Sequence, residues 1–223
     1  MKKNKDFSEL YANDYFQERL NNDPKRLACF EQEKIFVYQY VNKGNILDVG
    51  CSTGEFLSAI NWQGNKYGME ISNYAVDRAK KVGVSFDKDI FSEEDFFDLI
   101  IFRGTIQHLD QPFLFFEKAY QSLKKGGYVI FLATPNLNSL YYKIWNDLPC
   151  LDSNKNFFVP SNLTLTNAMK VYGFELIDVE YPYLKSPYSN PVKDHLKFIT
   201  KFFNSNHEFP FWKNMMNICF IKN

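Results

Sequence analysis

Residues 46–57, ILDVGCSTGEFL, set a glycine-bearing turn directly behind an apolar run and ahead of a segment of helical composition. A buried strand that passes so quickly into a helix leaves the helix's first N–H groups free to meet a ligand. Gly50 permits the turn and Gly54 the close approach of that ligand, with Ser52 and Thr53 between them. About twenty residues on, at the end of the next apolar run, stands Glu70 in YGMEIS. In nucleotide-binding α/β folds an acidic residue there accepts hydrogen bonds from ribose hydroxyls. Asp48 and Glu70 both border buried strands, where an unpaired carboxylate is costly, and that cost marks them as functional. The dinucleotide fingerprint G-x-G-x-x-G is not matched by Gly50, Cys51, Ser52, Thr53, Gly54 and Glu55, which argues against NAD and FAD.

The elements that must position these residues are visible as an alternation. Apolar runs at Ile46–Val49, Lys66–Met69, Val84–Phe86, Phe97–Phe102 and Tyr128–Ala133 read as strands. Between them, Glu55–Asn61, Asn73–Lys81 and Pro112–Leu123 read as helices. Short apolar strands separated by helices are the mark of a parallel sheet buried on both faces, so a doubly wound α/β fold is expected. Residues 1–44 form a polar helical cap, with Phe30, Phe36, Val37, Tyr40 and Val41 at helical spacing and Gly44 as the stop. A helix at Leu163–Tyr172, stopped by Gly173, precedes strands at Phe174–Tyr181 and Asn214–Ile221. Residues 134–165 and 182–213 break the rhythm and are too long for ordinary connections, so both are expected to cover a ligand at one end of the sheet. The whole chain, 1–223, reads as one domain.

The segment from Asp48 through Gly50, Ser52 and Gly54 resembles the first motif of the class I S-adenosylmethionine-dependent methyltransferases, an acidic residue followed by x-G-x-G-x-G, with serine at the middle glycine. GMEIS, SFDKDI, FFDLIIFRGTIQHLDQP and LKKGGYVIFLATPN follow in the family's order, and the resemblance covers roughly residues 44–181 and much of the rest. It implies a Rossmann-like sheet of seven strands, mainly parallel with the last antiparallel. It also implies S-adenosylmethionine as cofactor and S-adenosylhomocysteine as product. Asp48 would lie beneath the methionine part, and Gly50, Ser52, Thr53 and Gly54 would line its path. Glu70 would hold the ribose diol, Ile71 and Ile90 would pack on the adenine, Asp89 would receive its amino group, and Phe102 would border the site. Ile71 and Ile90 are equally readable as ordinary core.

Transfer of a methyl group from a sulfonium is an in-line displacement that needs mainly a dry, aligned acceptor. Where the acceptor is a hydroxyl, a base can take its proton, and His108, just beyond the fourth strand, is the candidate. A structural role for that histidine is the alternative. Arg103 and Gln107 border the same cleft, and Arg103 could bind an anionic acceptor or join an ion pair. Asp110 reads as a helix cap before Pro112. Tyr141, Tyr142, Trp145, Phe157, Phe158, Tyr181, Tyr183 and Tyr188 concentrate around the two irregular stretches. They read either as a stacking wall for a sugar or nucleotide or as a satellite core.

ATPNLNSLYYKIW, NFFVPSNLTLTNAMKVYGF and PFWKNMMNICFIKN look like the small bacterial methyltransferases encoded in surface-polysaccharide biosynthesis clusters. That resemblance implies a small-molecule or glycan-precursor acceptor: a sugar, nucleotide sugar or phosphorylated precursor. Twenty-six basic and twenty-six acidic side chains leave no net charge, which excludes a general polyanion binder. The place where amino-methylating enzymes of nucleic acid carry [N/D]-P-P-[Y/F] reads FRGTIQH, so no nucleic-acid partner is expected. A non-catalytic cofactor-binding module would keep Asp48 and Glu70 and lack turnover. Cys29, Cys51, Cys150 and Cys219 form no C-x-x-C pair, His195 and His207 read as solvated, and no metal is expected. MKKNKDFSEL lacks a signal peptide's apolar stretch, and no run approaches a membrane span, so a cytoplasmic location is expected.

Overall fold

The computed structural model describes residues 24–152, 154–203 and 207–223. The first 23 residues of the expected helical cap lie outside the described residues. The rest of it is one helix, α1 (Pro24–Tyr38), which ends before the expected stop. Gly44 instead falls inside the first strand, β1 (Lys43–Val49), where the Asp98 carboxylate occupies the space a side chain would need.

The chain then alternates as the apolar runs predict: α2 (Glu55–Ala59), β2 (Gln63–Met69), α3 (Asn73–Lys81), β3 (Phe97–Arg103), α4 (Pro112–Ser122) and β4 (Leu123–Pro135). After it come α5 (Leu140–Trp145), α6 (Asn162–Val171), β5 (Phe174–Glu180), α7 (Pro191–Thr200) and β6 (Met215–Lys222). The sheet has the order β2-β1-β3-β4-β6-β5. Strands β1 to β4 pair in parallel, and β6 is antiparallel to both β4 and β5.

Among the described residues the sheet therefore has six strands rather than the seven expected. The expected strand Val84–Phe86 is reduced to a single parallel bridge between Tyr67 and Ser85. Two backbone hydrogen bonds hold it, Gly68 N to Ser85 O at 2.9 Å and Ser85 N to Lys66 O at 2.9 Å. The Ser85 hydroxyl then turns to the Asp87 carboxylate, and a three-residue apolar run at a sheet edge extends no further.

Alternation along the strands fills both faces. Leu47, Val49, Ile100, Phe102, Val129 and Phe131 enter one core, and Ile46, Leu99, Ile101, Ile130 and Leu132 enter the other with Phe30, Phe36 and Val37 of α1. A third, smaller core joins the two irregular stretches through Tyr141, Leu148, Phe209 and Phe211. The site is positioned by strand direction. β1, β2 and β3 all finish at one edge, and β6, running the other way, begins there, with Met215 opposite Pro135. Open α/β sheets bind their ligands at that edge, outside the strand next to which the order reverses, here β1.

Candidate active site

At this edge lies a cavity of about 900 Å³. One wall is α1, through Phe30 and Glu33. The floor is the end of β1 and its turn, the far side is the segment after β3, and Cys150, Tyr183, Tyr188 and Phe211 of the irregular stretches close over it.

The turn after β1 is held by the end of β2. Gly50 N and Cys51 N donate to Met69 O at 2.8 and 3.1 Å. Glu70 completes the connection: its Oε2 accepts from Ser52 N at 3.0 Å, and its Oε1 from Ile71 N and Ser72 N at 2.8 and 3.0 Å. A carboxylate offers about four acceptor positions, so Glu70 braces the turn and keeps one lone pair for a ligand hydroxyl. Gly50 has φ 77°, and a Cβ there would lie 2.6 Å from the Thr105 side chain. The neighbour that a side chain at Gly54 would meet is Ala79 of α3, at 3.0 Å, so this glycine serves helix packing.

Asp48 shares the α1-facing side of β1 with Ile46 and is 2% exposed. Its Oδ1 has no hydrogen-bond partner among the described residues. Burial pushes its carboxyl up to about 8; Arg103 pulls it down, and Glu33 and Glu70 add to the rise. Arg103 lies on the matching face of β3, where its Nε and Nη2 donate to Glu33 of α1 at 2.6 and 3.2 Å, and its guanidinium sits 4.4 Å from the Phe30 ring centroid. The ion-pair reading of Arg103 is thus the one the geometry presents, and the pair is a largely buried one. A cation placed in the cavity would meet the Glu33 and Glu70 carboxylates and the Asp48 carboxyl, whose ionised form it would favour.

Beyond β3 a 3₁₀ turn, Ile106–His108, carries Gln107 and His108 into the cavity wall. His108 Nδ1 lies 2.9 Å from the Lys155 carbonyl. A carbonyl only accepts, so Nδ1 carries the proton and Nε2 is the acceptor nitrogen, 3.4 Å from Gln107 Nε2. This is the tautomer a base toward the cavity needs. Gln107 Nε2 donates to Gly104 O at 3.0 Å, and Gln107 Oε1 is buried without a partner among the described residues. Cys51, also in the wall, is kept a thiol by burial and by Asp48, so it offers no thiolate nucleophile.

The cavity thus gathers Asp48, Gly50, Ser52, Glu70, Ile71, Arg103, Gln107 and His108. Thr53, Gly54, Asp89, Ile90 and Phe102 are not in its wall. Ile90 and Phe102 are core residues, Phe102 stacked on Phe131 at 5.0 Å. Asp89 Oδ1 caps a turn by accepting from Phe91 N and Ser92 N at 2.8 and 2.9 Å. Asp110 lines the cavity, and Gln111 occupies the cap position of α4. The aromatic residues divide: Tyr141 and Trp145 build the satellite core, Phe158 packs on the main core, and Tyr183 and Tyr188 face the cavity. Among the described residues no group of three or more metal-ligating side chains is assembled, no disulfide joins any two of the four cysteines, and no helix is long and apolar enough to cross a membrane.

Two wall residues are absent from the motif reading. Glu33 occupies the apolar stripe of α1 with Phe30, Phe36 and Val37, and a carboxylate at that spacing signals a buried partner. Asn214 precedes the final strand, and an antiparallel last strand must start at the ligand edge. Its amide is 4% exposed, and neither Oδ1 nor Nδ2 has a partner among the described residues. Leaving a buried donor or acceptor unmet costs about 1–3 kcal/mol.

A family profile described as a methyltransferase domain matches residues 15–179. The malonyl-[acyl-carrier protein] O-methyltransferase 1 of Ilyobacter polytropus is 32% identical over 130 residues, 53% of this chain. That stretch is 48% of the relative, so the match spans about half its length. Among solved structures, a SAM-dependent methyltransferase of Thermotoga maritima superposes with a TM-score of 0.61 at 21% identity, covering 94% of this chain and 99% of its own. One from Archaeoglobus fulgidus gives 0.59 at 20% identity, covering 93% and 98%. At these identities the superpositions establish the shared fold.

Proposed function

The chain is an enzyme of the methyltransferase-domain family, and we propose that it transfers the methyl group of S-adenosylmethionine to a hydroxyl of a sugar, nucleotide sugar or phosphorylated surface-polysaccharide precursor. The observation that carries the cofactor assignment is the buried, partnerless Asp48 Oδ1 at the turn after β1. Such an oxygen fits a cationic or N–H-bearing ligand, and the methionine part of this cofactor offers both. Asp48 and the backbone of Gly50 to Ser52 would hold that part, Glu70 the ribose through its remaining lone pair, and the exposed Ile71 at the rim one face of the adenine. Bound there, the sulfonium supplies an electrophilic methyl group on a good leaving group.

The remaining chemistry belongs to the chain. His108 Nε2 takes the acceptor's proton as the oxygen attacks, while the Lys155 carbonyl stabilises the imidazolium through Nδ1. Tyr183 and Tyr188 with Cys150 and Phe211 keep the cavity dry, the role we assign to residues 134–165 and 182–213. We place the reaction in the cytoplasm, where activated sugars are made, with no nucleic-acid partner.

A second reading, methylation of a malonyl carboxylate, is favoured by the likeness to the Ilyobacter enzyme. Calorimetry with S-adenosylhomocysteine tests the cofactor site: binding to the wild type and its loss in Glu70→Ala are expected, and unchanged affinity in the variant would mean that the site lies elsewhere. A screen of nucleotide-activated sugars, read by S-adenosylhomocysteine release, tests the acceptor class.

A further inference from the structure

The unmet groups of the cavity wall are unevenly divided. Among the buried side-chain atoms of the described cavity wall, Gln107 Oε1 and Asn214 Oδ1 are unmet acceptors, Asp48 Oδ1 becomes one when its carboxyl ionises, Glu55 Oε2 pairs with Arg26, and Asn214 Nδ2 is the unmet donor. For Gln107 this orientation is imposed: the Gly104 carbonyl accepts from Nε2, and turning the amide over would set two carbonyl oxygens face to face. The wall therefore asks its ligands for hydrogen-bond donors.

Asn214 is also held still. Its backbone carbonyl accepts from Asn136 N at 2.9 Å, and its N–H donates to Phe211 O at 3.1 Å. The buried Asn136 side chain fixes the preceding residue by donating from Nδ2 to Lys213 O at 3.0 Å. A buried amide so firmly mounted, with both of its own polar atoms unmet, is costly to the free protein and useful only with a ligand in place.

We propose that Gln107 and Asn214 form the acceptor-reading subsite, which selects hydroxyl groups placed against them and rejects a carboxylate there. The proposal rests on this cavity being the methyl-transfer site. A hydroxyl satisfies Asn214 completely, donating to Oδ1 while accepting from Nδ2, and a neighbouring hydroxyl donates to Gln107 Oε1. A polyhydroxylated ring offers a hydroxyl for each of the two residues. A carboxylate has nothing to donate: it could accept from Asn214 Nδ2, yet it would leave the Asn214 and Gln107 carbonyl oxygens unmet and set its own charge against them. This separates the sugar reading from the malonyl reading by chemistry present in the wall.

The test uses the full chain, loaded with S-adenosylhomocysteine, and the matched probes UDP-glucose and UDP-glucuronate, which differ by a hydroxymethyl group against a carboxylate. Calorimetry should show UDP-glucose binding at least tenfold tighter than UDP-glucuronate. Asn214→Leu should abolish that preference and weaken UDP-glucose at least tenfold, with S-adenosylhomocysteine affinity unchanged. Its melting temperature should hold or rise, because the substitution removes two unmet polar atoms and no structural bond. A fall of several degrees would show that Asn214 is a structural residue and overturn the proposal. Equal or reversed affinity for the two probes, no binding of either, or an Asn214→Leu variant that binds as the wild type does would overturn it as well. Absence of S-adenosylhomocysteine binding by the wild type would instead bring down the cofactor reading on which it stands.

Discussion

Arg103 clasps Glu33 in a two-point ion pair, Nε to Oε2 at 2.6 Å and Nη2 to Oε1 at 3.2 Å, which joins the end of β3 to α1 across one side of the cavity. The Glu33 side chain is 7% exposed and that of Arg103 19%, so both charges are largely withdrawn from water. Removing one partner of such a pair is far more costly than removing both, because the survivor is left charged and buried. Arg103→Met should therefore destabilise the protein by about 3 kcal/mol, and the double variant with Glu33→Met should recover much of that loss. Urea denaturation of the two single variants and the double variant measures the coupling; additive losses would mean that the pair contributes little.

Asp48 makes the stability of the free protein depend on pH. Burial lifts its carboxyl from 3.8 to about 8. Between these values the unfolded chain has released the proton and the folded chain still holds it. Stability then falls as pH rises through the window, by up to about 1.4 kcal/mol per unit, and levels off on either side. Asp48→Asn lacks this slope. The variant should match the wild type near pH 4 and be a few kcal/mol more stable at pH 9, while losing affinity for S-adenosylmethionine. Denaturation curves across that range provide the check, and parallel profiles for the two proteins would refute the burial argument. A cationic ligand favours the ionised form, so wild-type affinity for the cofactor should climb with pH toward 8.

His108 is held by the Lys155 carbonyl in the tautomer that leaves Nε2 as the acceptor. His108→Ala should lower kcat by roughly 10²- to 10⁴-fold on a hydroxyl acceptor. The Kd for S-adenosylhomocysteine should be unchanged, since the ring braces none of the turn around Gly50. A variant with full turnover would return His108 to a structural role.

Much of this arrangement is legible from apolar spacing. Strands β1, β3 and β4 have two buried faces, and their runs announce themselves. The edge run at Val84–Phe86 fails to become a strand because three residues with one neighbour gain too little pairing. The motif from Asp48 to Gly54 locates the cavity floor, yet it does not separate glycines that face a ligand from those that face protein: Gly54 looks at Ala79. Ile90 and Phe102 illustrate the same ambiguity, since an apolar residue at a strand end reads alike whether it meets a ligand or the core. Glu33 and Asn214 come from elements outside the motif, the helix before β1 and the approach to β6. Only the pairing of α1 with β3, and the reversed direction of β6, bring them to the wall.

Ser52 supplies the last prediction, at the place where the motif carries serine and the resembling family glycine. Its φ of 52° lies in the left-handed region, which costs an L-residue roughly 1–2 kcal/mol. The conformation is enforced because Ser52 N must reach Glu70 Oε2 at 3.0 Å while Cys51 N stays on Met69 O at 3.1 Å. Ser52→Gly removes the strain and adds freedom to the unfolded chain, which offsets part of the gain. The net expectation is a stabilisation of about 0.5–1 kcal/mol in urea denaturation, with cofactor affinity retained, since the backbone donor survives. A destabilised variant would mean that the Ser52 hydroxyl, rather than the backbone geometry, holds the turn.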